Sequence, residues 1–73
     1  MSKDDEVLEV IKELAKSKGN RLSVTSIYSA VVQKGIYTSE KFIRHALKRL
    51  EIRGKIKTGG MNQLELLIEG DEN

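Results

Sequence analysis

The chain has 73 residues, with 13 Lys and Arg against 11 Asp and Glu, a formal net charge of +2, and 38% hydrophobic residues. This length suits one folded domain near the lower limit for an unaided core, and the composition is that of a globular chain rather than a disordered one. Absence of cysteine excludes disulfides and thiolate-bound metals, and no apolar run approaches the roughly 20 residues of a membrane span; with the polar start Met1–Glu6 giving no secretory leader, a cytoplasmic protein is expected.

In chain order, Val7, Leu8, Ile11, Leu14 and Ala15 fall on one face of a helix spanning about 4–18. Ser2 or Asp4 can cap it, Asp5, Glu6 and Glu9 complement its positive end, Lys16 and Lys18 its negative end, and Gly19 stops it. Arg21-Leu22-Ser23 leaves room for a short edge strand. Ser23 then stands at a cap position before Val24, Ile27, Tyr28 and Val31, a second helix over about 24–34 that ends at Gly35.

Thr38 or Ser39 caps a third helix over about 39–53, with Ile43, Ala46, Leu47 and Leu50 as its apolar stripe and Gly54 after it. Lys55 to Thr58, Gly59-Gly60, then the alternation of Leu64, Leu66 and Ile68 with Gln63, Glu65, Leu67 and Glu69 predict a β-hairpin over about 55–69, turning at the glycines, which can take positive φ. Residues 70–73 read as a frayed tail. The predicted class is α+β, three helices closed by a small antiparallel hairpin.

Charge is concentrated rather than mixed. Residues 41–57 hold seven basic groups and only Glu51, whereas residues 58–73 hold four acids and no base. At about 100° per residue, Lys41, Arg44, His45, Lys48 and Arg49 fall within roughly 80° of one direction on the third helix, opposite its apolar stripe. A solvated amphipathic face ordinarily mixes both signs, as the first helix does. A stripe of one sign points to a polyanion.

The stretch Leu22–Gly35, followed by Ser39–Ile56 with Leu47, Leu50, Gly54 and Ile56 marking the passage from helix to hairpin, resembles winged helix-turn-helix DNA-binding domains, particularly small archaeal, viral or plasmid ones. The resemblance implies a third helix in the major groove and a wing on the backbone. It casts Ser39, Lys41, Arg44 and His45, near the helix start, as groove residues, with Arg44 suited to guanine. Lys48, Arg49, Lys55 and Lys57 become phosphate contacts, the two wing lysines extending the surface of the third helix. Ser23, Thr25 and Ser26 would add contacts at the start of the second helix. This wing has no Lys or Arg at its tip, unlike many in the family.

The expected partner is therefore double-stranded DNA, bound with sequence preference by a transcriptional regulator. Five to seven phosphate contacts imply a slope of log K against log salt near −4 to −6. RNA binding of the ribosomal kind and a protein-interaction role are the alternatives. A homodimer would use Val10, Ile52 or Leu67. Phe42 is expected to border the core and Tyr37 to pack under the turn. No catalytic constellation is visible: there is no nucleophile paired with a base, and Gly59-Gly60 lacks the spacing of a phosphate loop. No enzyme activity, cofactor, metal or small-molecule substrate is expected, and the first-turn acids read as partners of the helix dipole rather than metal ligands.

Overall fold

Each helix begins after a serine, and in two of the three its hydroxyl satisfies an amide that the helix itself leaves open. A computed structural model describes residues 2–67 and places α1 at Lys3–Lys18, β1 at Arg21–Ser23, α2 at Val24–Gln33, α3 at Glu40–Ile52, β2 at Ile56–Thr58 and β3 at Gln63–Leu66. The Ser2 hydroxyl accepts from the Asp5 amide at 3.2 Å, and the Ser23 hydroxyl accepts from the Ser26 amide at 3.1 Å. Ser39 occupies the corresponding position of α3, without a side-chain capping bond. The expected ends of α1, α2 and α3 lie within one residue of those observed.

The strands form an antiparallel sheet in the order β1-β3-β2. Leu22 pairs with Leu64, and Thr58 pairs with Leu64 on the other side; Ile56 pairs with Leu66. Paired residues share a face, so Leu22, Ile56, Thr58, Leu64 and Leu66 look toward the helices, while Arg21, Lys57 and Glu65 look outward. The apolar stripes of α1, α2 and α3 meet this inner face, and Ile11, Ile27, Ile43, Leu50, Ile56 and Leu64 are its largest fully buried side chains. The result is a winged helix-like α+β fold. Ile68, Glu69 and the expected tail at 70–73 lie outside the described residues.

Two expectations require correction here. Val10, named above as a dimer contact, is only 4% exposed and belongs to the core. α1 packs against α2, α3 and the sheet together, so its buried arc is wider than one stripe. The hairpin does not turn on positive-φ glycines either. Gly59 and Gly60 both lie outside that region, and it is Asn62 that takes φ 57°. The Gln63 amide donates to the Gly60 carbonyl at 3.2 Å, placing Asn62 at the third position of the turn, where glycine or asparagine is favoured.

Asn62 has a second task. Its side-chain carbonyl accepts from the Thr25 amide at 3.2 Å and the Thr25 hydroxyl at 3.1 Å, and its backbone carbonyl accepts from the Val24 amide at 3.1 Å. The turn is thereby fastened to the start of α2. Asn62→Ala should cost about 1–2 kcal/mol, since it removes a capping acceptor and disfavours the left-handed backbone. Asn62→Gly keeps the backbone and loses only the side-chain bonds. Urea denaturation of the two variants separates these contributions, with Asn62→Gly expected to be the milder.

Candidate nucleic-acid interface

α3 divides sharply. Ile43, Ala46, Leu47 and Leu50 are buried, while Lys41, Arg44, His45, Lys48 and Arg49 are all exposed. The core claims one side of the helix, so the cations are turned to the other. Arg44 approaches Glu40 at 3.5 Å, a long and exposed i,i+4 pair of the kind that contributes little. Among the described residues, no carboxylate comes within 4.0 Å of the basic nitrogens of Lys41, His45 or Lys48. These four side chains occupy one continuous face over two turns.

Arg49 stands apart. Its guanidinium donates twice to Asp4, at 2.7 and 2.9 Å, a two-pronged geometry that fixes both groups. Asp4 keeps only 17% of its side chain exposed there. The hydrogen bond from Arg49 holds the Asp4 carboxyl below its ordinary value, assisted by the charges of Arg49 and Arg53 against an opposing effect of burial. The same bond raises Arg49. One turn on, Arg53 approaches Asp5 at 3.5 Å. Asp5 is lowered too, first by its hydrogen bond with Ser2 and also by Arg53. The first-turn acids of α1 thus brace α3, beyond complementing their own helix dipole. Arg49, expected on phosphate, is already partnered inside the protein.

The depressed Asp4 gives a pH prediction. A carboxyl whose folded pKa lies below its unfolded value adds stability that is complete above the unfolded value, here the ordinary 3.8, and is lost as pH falls through the folded one. The stability difference between wild type and Asp4→Asn should be largest above about pH 5 and should shrink steadily below about pH 4. Urea melts from pH 2 to 7 measure it. A difference independent of pH would show that the Asp4–Arg49 pair contributes nothing.

Of the two wing lysines, Lys57 does not extend the α3 surface as expected. Lys57 lies on the outer sheet face, opposite Glu65 on the central strand, with Arg21 across the same Glu65. The polar residue of β2 that turns toward α3, on the same face as Ile56, is Thr58, whose hydroxyl donates to Glu51 at 2.9 Å. Lys55 is half-buried at the junction of α3 and β2, its amide donating to the Leu50 carbonyl at 3.0 Å. Alternation placed Lys57 away from Ile56 correctly; the face thereby reached is not the one α3 borders.

The start of α2 is closed as well. The Val24 and Thr25 amides are taken by Asn62 and the Ser26 amide by Ser23, so Ser23, Thr25 and Ser26 offer no open amide cradle to a phosphate. Phe42, expected beside the core, is 53% exposed. It meets Tyr37 at 6.2 Å between ring centres, and the Lys3 ammonium lies 5.1 Å from the Tyr37 ring. Tyr37 fills the core-bordering place instead, packing against the buried cluster. The surface left for a partner is Lys41, Arg44, His45 and Lys48, with Ser39 at its start. Among the described residues no group of three or more His, Asp or Glu could hold a metal, and no helix is long and apolar enough to cross a membrane. Comparison with family models, characterised proteins and solved structures finds no match to this chain.

Proposed function

We propose that the domain binds double-stranded DNA through the exposed face of α3, as a small sequence-preferring regulator. One observation carries this reading: Lys41, Arg44, His45 and Lys48 share one exposed face and, among the described residues, Glu40 is the one carboxylate within 4.0 Å of any of their basic nitrogens. A helix of this diameter fits the major groove, and cations unopposed by the protein's own acids are free to replace counterions on phosphate. Arg44 is the base-reading residue, because a guanidinium can bridge two acceptors of guanine; Lys41 and Lys48 meet phosphates. The sheet supports α3 and fastens α2 rather than reaching into a neighbouring groove.

With Arg49 and Lys57 elsewhere, the exposed fixed charges of α3 that can displace counterions are Lys41, Arg44 and Lys48, and the slope of log K against log salt becomes about −3, shallower than the sequence alone implied. Titration of a duplex pool at several salt concentrations measures it, and a slope near zero would overturn the reading. Arg44→Ala should flatten sequence preference, removing about 1–3 kcal/mol of discrimination at one position, as read by selection from random duplexes.

A second reading, recognition of RNA, draws on Phe42, whose half-exposed ring beside Lys41 suits stacking with an unpaired base. Parallel titrations with DNA duplex, RNA duplex and single strands separate the two. Tightest binding to single-stranded RNA, lost in Phe42→Ala, would favour the second.

A further inference from the structure

Between the start of α2, the side of α3 and the end of β2 lies an open groove of about 570 Å³ whose lining includes Val24, Tyr28, Leu47, Arg44, Lys48 and Thr58. Leu47 is buried at its floor, while Val24 and Tyr28 are half-buried. The floor is therefore aliphatic and aromatic, and Arg44 and Lys48 stand on one rim. We infer that this groove is a binding site for a small aromatic monoanion, an aryl carboxylate.

The chemistry excludes the nearest alternatives. The volume lies within the range of sites for small organic ligands. A compact inorganic anion would gain nothing from Val24, Tyr28 and Leu47 and would forfeit its hydration. The amides at the start of α2, the other donors open to an anion in such a place, are already bonded to Asn62 and Ser23. The negative charge must then be met by side chains: Arg49 and His45 also line the groove, but the Arg49 guanidinium is already bound twice by Asp4, which leaves the Arg44–Lys48 rim as the pair of fixed charges to meet it. Of the acids beside this groove, Asp4 is bound to Arg49, Glu51 accepts from Thr58 and Glu40 leans toward Arg44 at a long 3.5 Å. An incoming carboxylate can displace that weak pair and take both nitrogens of the guanidinium. A flat ring gives the carboxylate an apolar body that lies on Leu47 and against the Tyr28 ring.

Arg44 and Lys48 also belong to the proposed DNA surface. Occupancy of the groove withdraws them, so ligand and duplex compete; this consequence alone rests on the DNA-binding reading.

The probe is sodium 1-naphthoate, followed by amide NMR on the full chain. The expected result is a saturable one-to-one titration with the largest shifts around Val24, Tyr28, Leu47 and Thr58. The neutral analogue 1-naphthalenemethanol should bind about tenfold more weakly, the loss of one charge-assisted contact, and acetate should leave the groove unshifted. Arg44→Gln/Lys48→Gln should lower naphthoate affinity at least about tenfold while leaving the alcohol unaffected. Lys16→Gln on α1 should change neither. Equal binding of acid and alcohol by the wild type, or shifts scattered over the surface without saturation, would overturn the site without reference to any variant. Naphthoate binding without duplex binding would leave the groove standing and remove the DNA reading; duplex binding without naphthoate would do the reverse.

Discussion

Lys41→Glu/Lys48→Glu is expected to weaken duplex binding roughly 10²–10³-fold near physiological salt, through two lost charge-assisted phosphate contacts and two new repulsions. The salt slope should fall by about two units, from about −3 toward −1. Both side chains are exposed and neither has a carboxylate partner among the described residues, so folding should be little disturbed. Arg49→Gln supplies the contrast. It carries the same charge on the same helix, but its guanidinium is bound to Asp4 at 2.7 and 2.9 Å. Its loss should alter affinity by less than about threefold, a rim-like effect. Anisotropy titrations of the two variants against one duplex, in parallel with thermal melts, give the comparison. A loss of binding in Arg49→Gln equal to that of the lysine pair would mean that Asp4 yields its partner to DNA, and that the division of roles on α3 is wrong.

The second large effect concerns stability. Ile43→Ala should cost about 2–5 kcal/mol, because a fully buried side chain leaves a cavity that the packed neighbours refill only in part. A chain of this length has roughly 4–11 kcal/mol in total, so the variant should be marginal and should lose ligand and nucleic-acid binding together. Ile43→Val should cost only about 0.5–1.5 kcal/mol. On the same helix, Ile52 is 76% exposed, and Ile52→Ala should fall within about 0.5 kcal/mol of wild type. Chemical denaturation with intact m-values tests the pair. Similar losses at both positions would show that Ile52 is covered in solution, as the dimer contact named from the sequence would require.

The helices were readable because their signals are local. Serines stand where α1 and α2 need an acceptor, Gly19, Gly35 and Gly54 take positive φ after the helices, and apolar residues recur at helical spacing. The hairpin was readable as a hairpin but not in its turn: Gly-Gly is the stronger local sign, yet Asn62 takes the left-handed position because its carbonyls complete the start of α2. Phe42 misled for a related reason. Its angle on α3 borders the apolar stripe, and Tyr37, arriving from the preceding connection, occupies the place beside the core.

The amino-acid order by itself determined three helices and a hairpin, the segregation of α3 into an aliphatic and a cationic side, and the concentration of positive charge between residues 41 and 57. Those are periodicities and capping rules acting over a few residues, so their signals are complete within each segment. Only the tertiary structure decided which cations remain available. Asp4 reaches Arg49 across 45 positions, Asn62 reaches Thr25 across 37, and the pairing of β2 with β3 turns Thr58 rather than Lys57 toward α3. A charge is spent or left open according to what the fold brings beside it, and separation along the chain carries no record of that proximity.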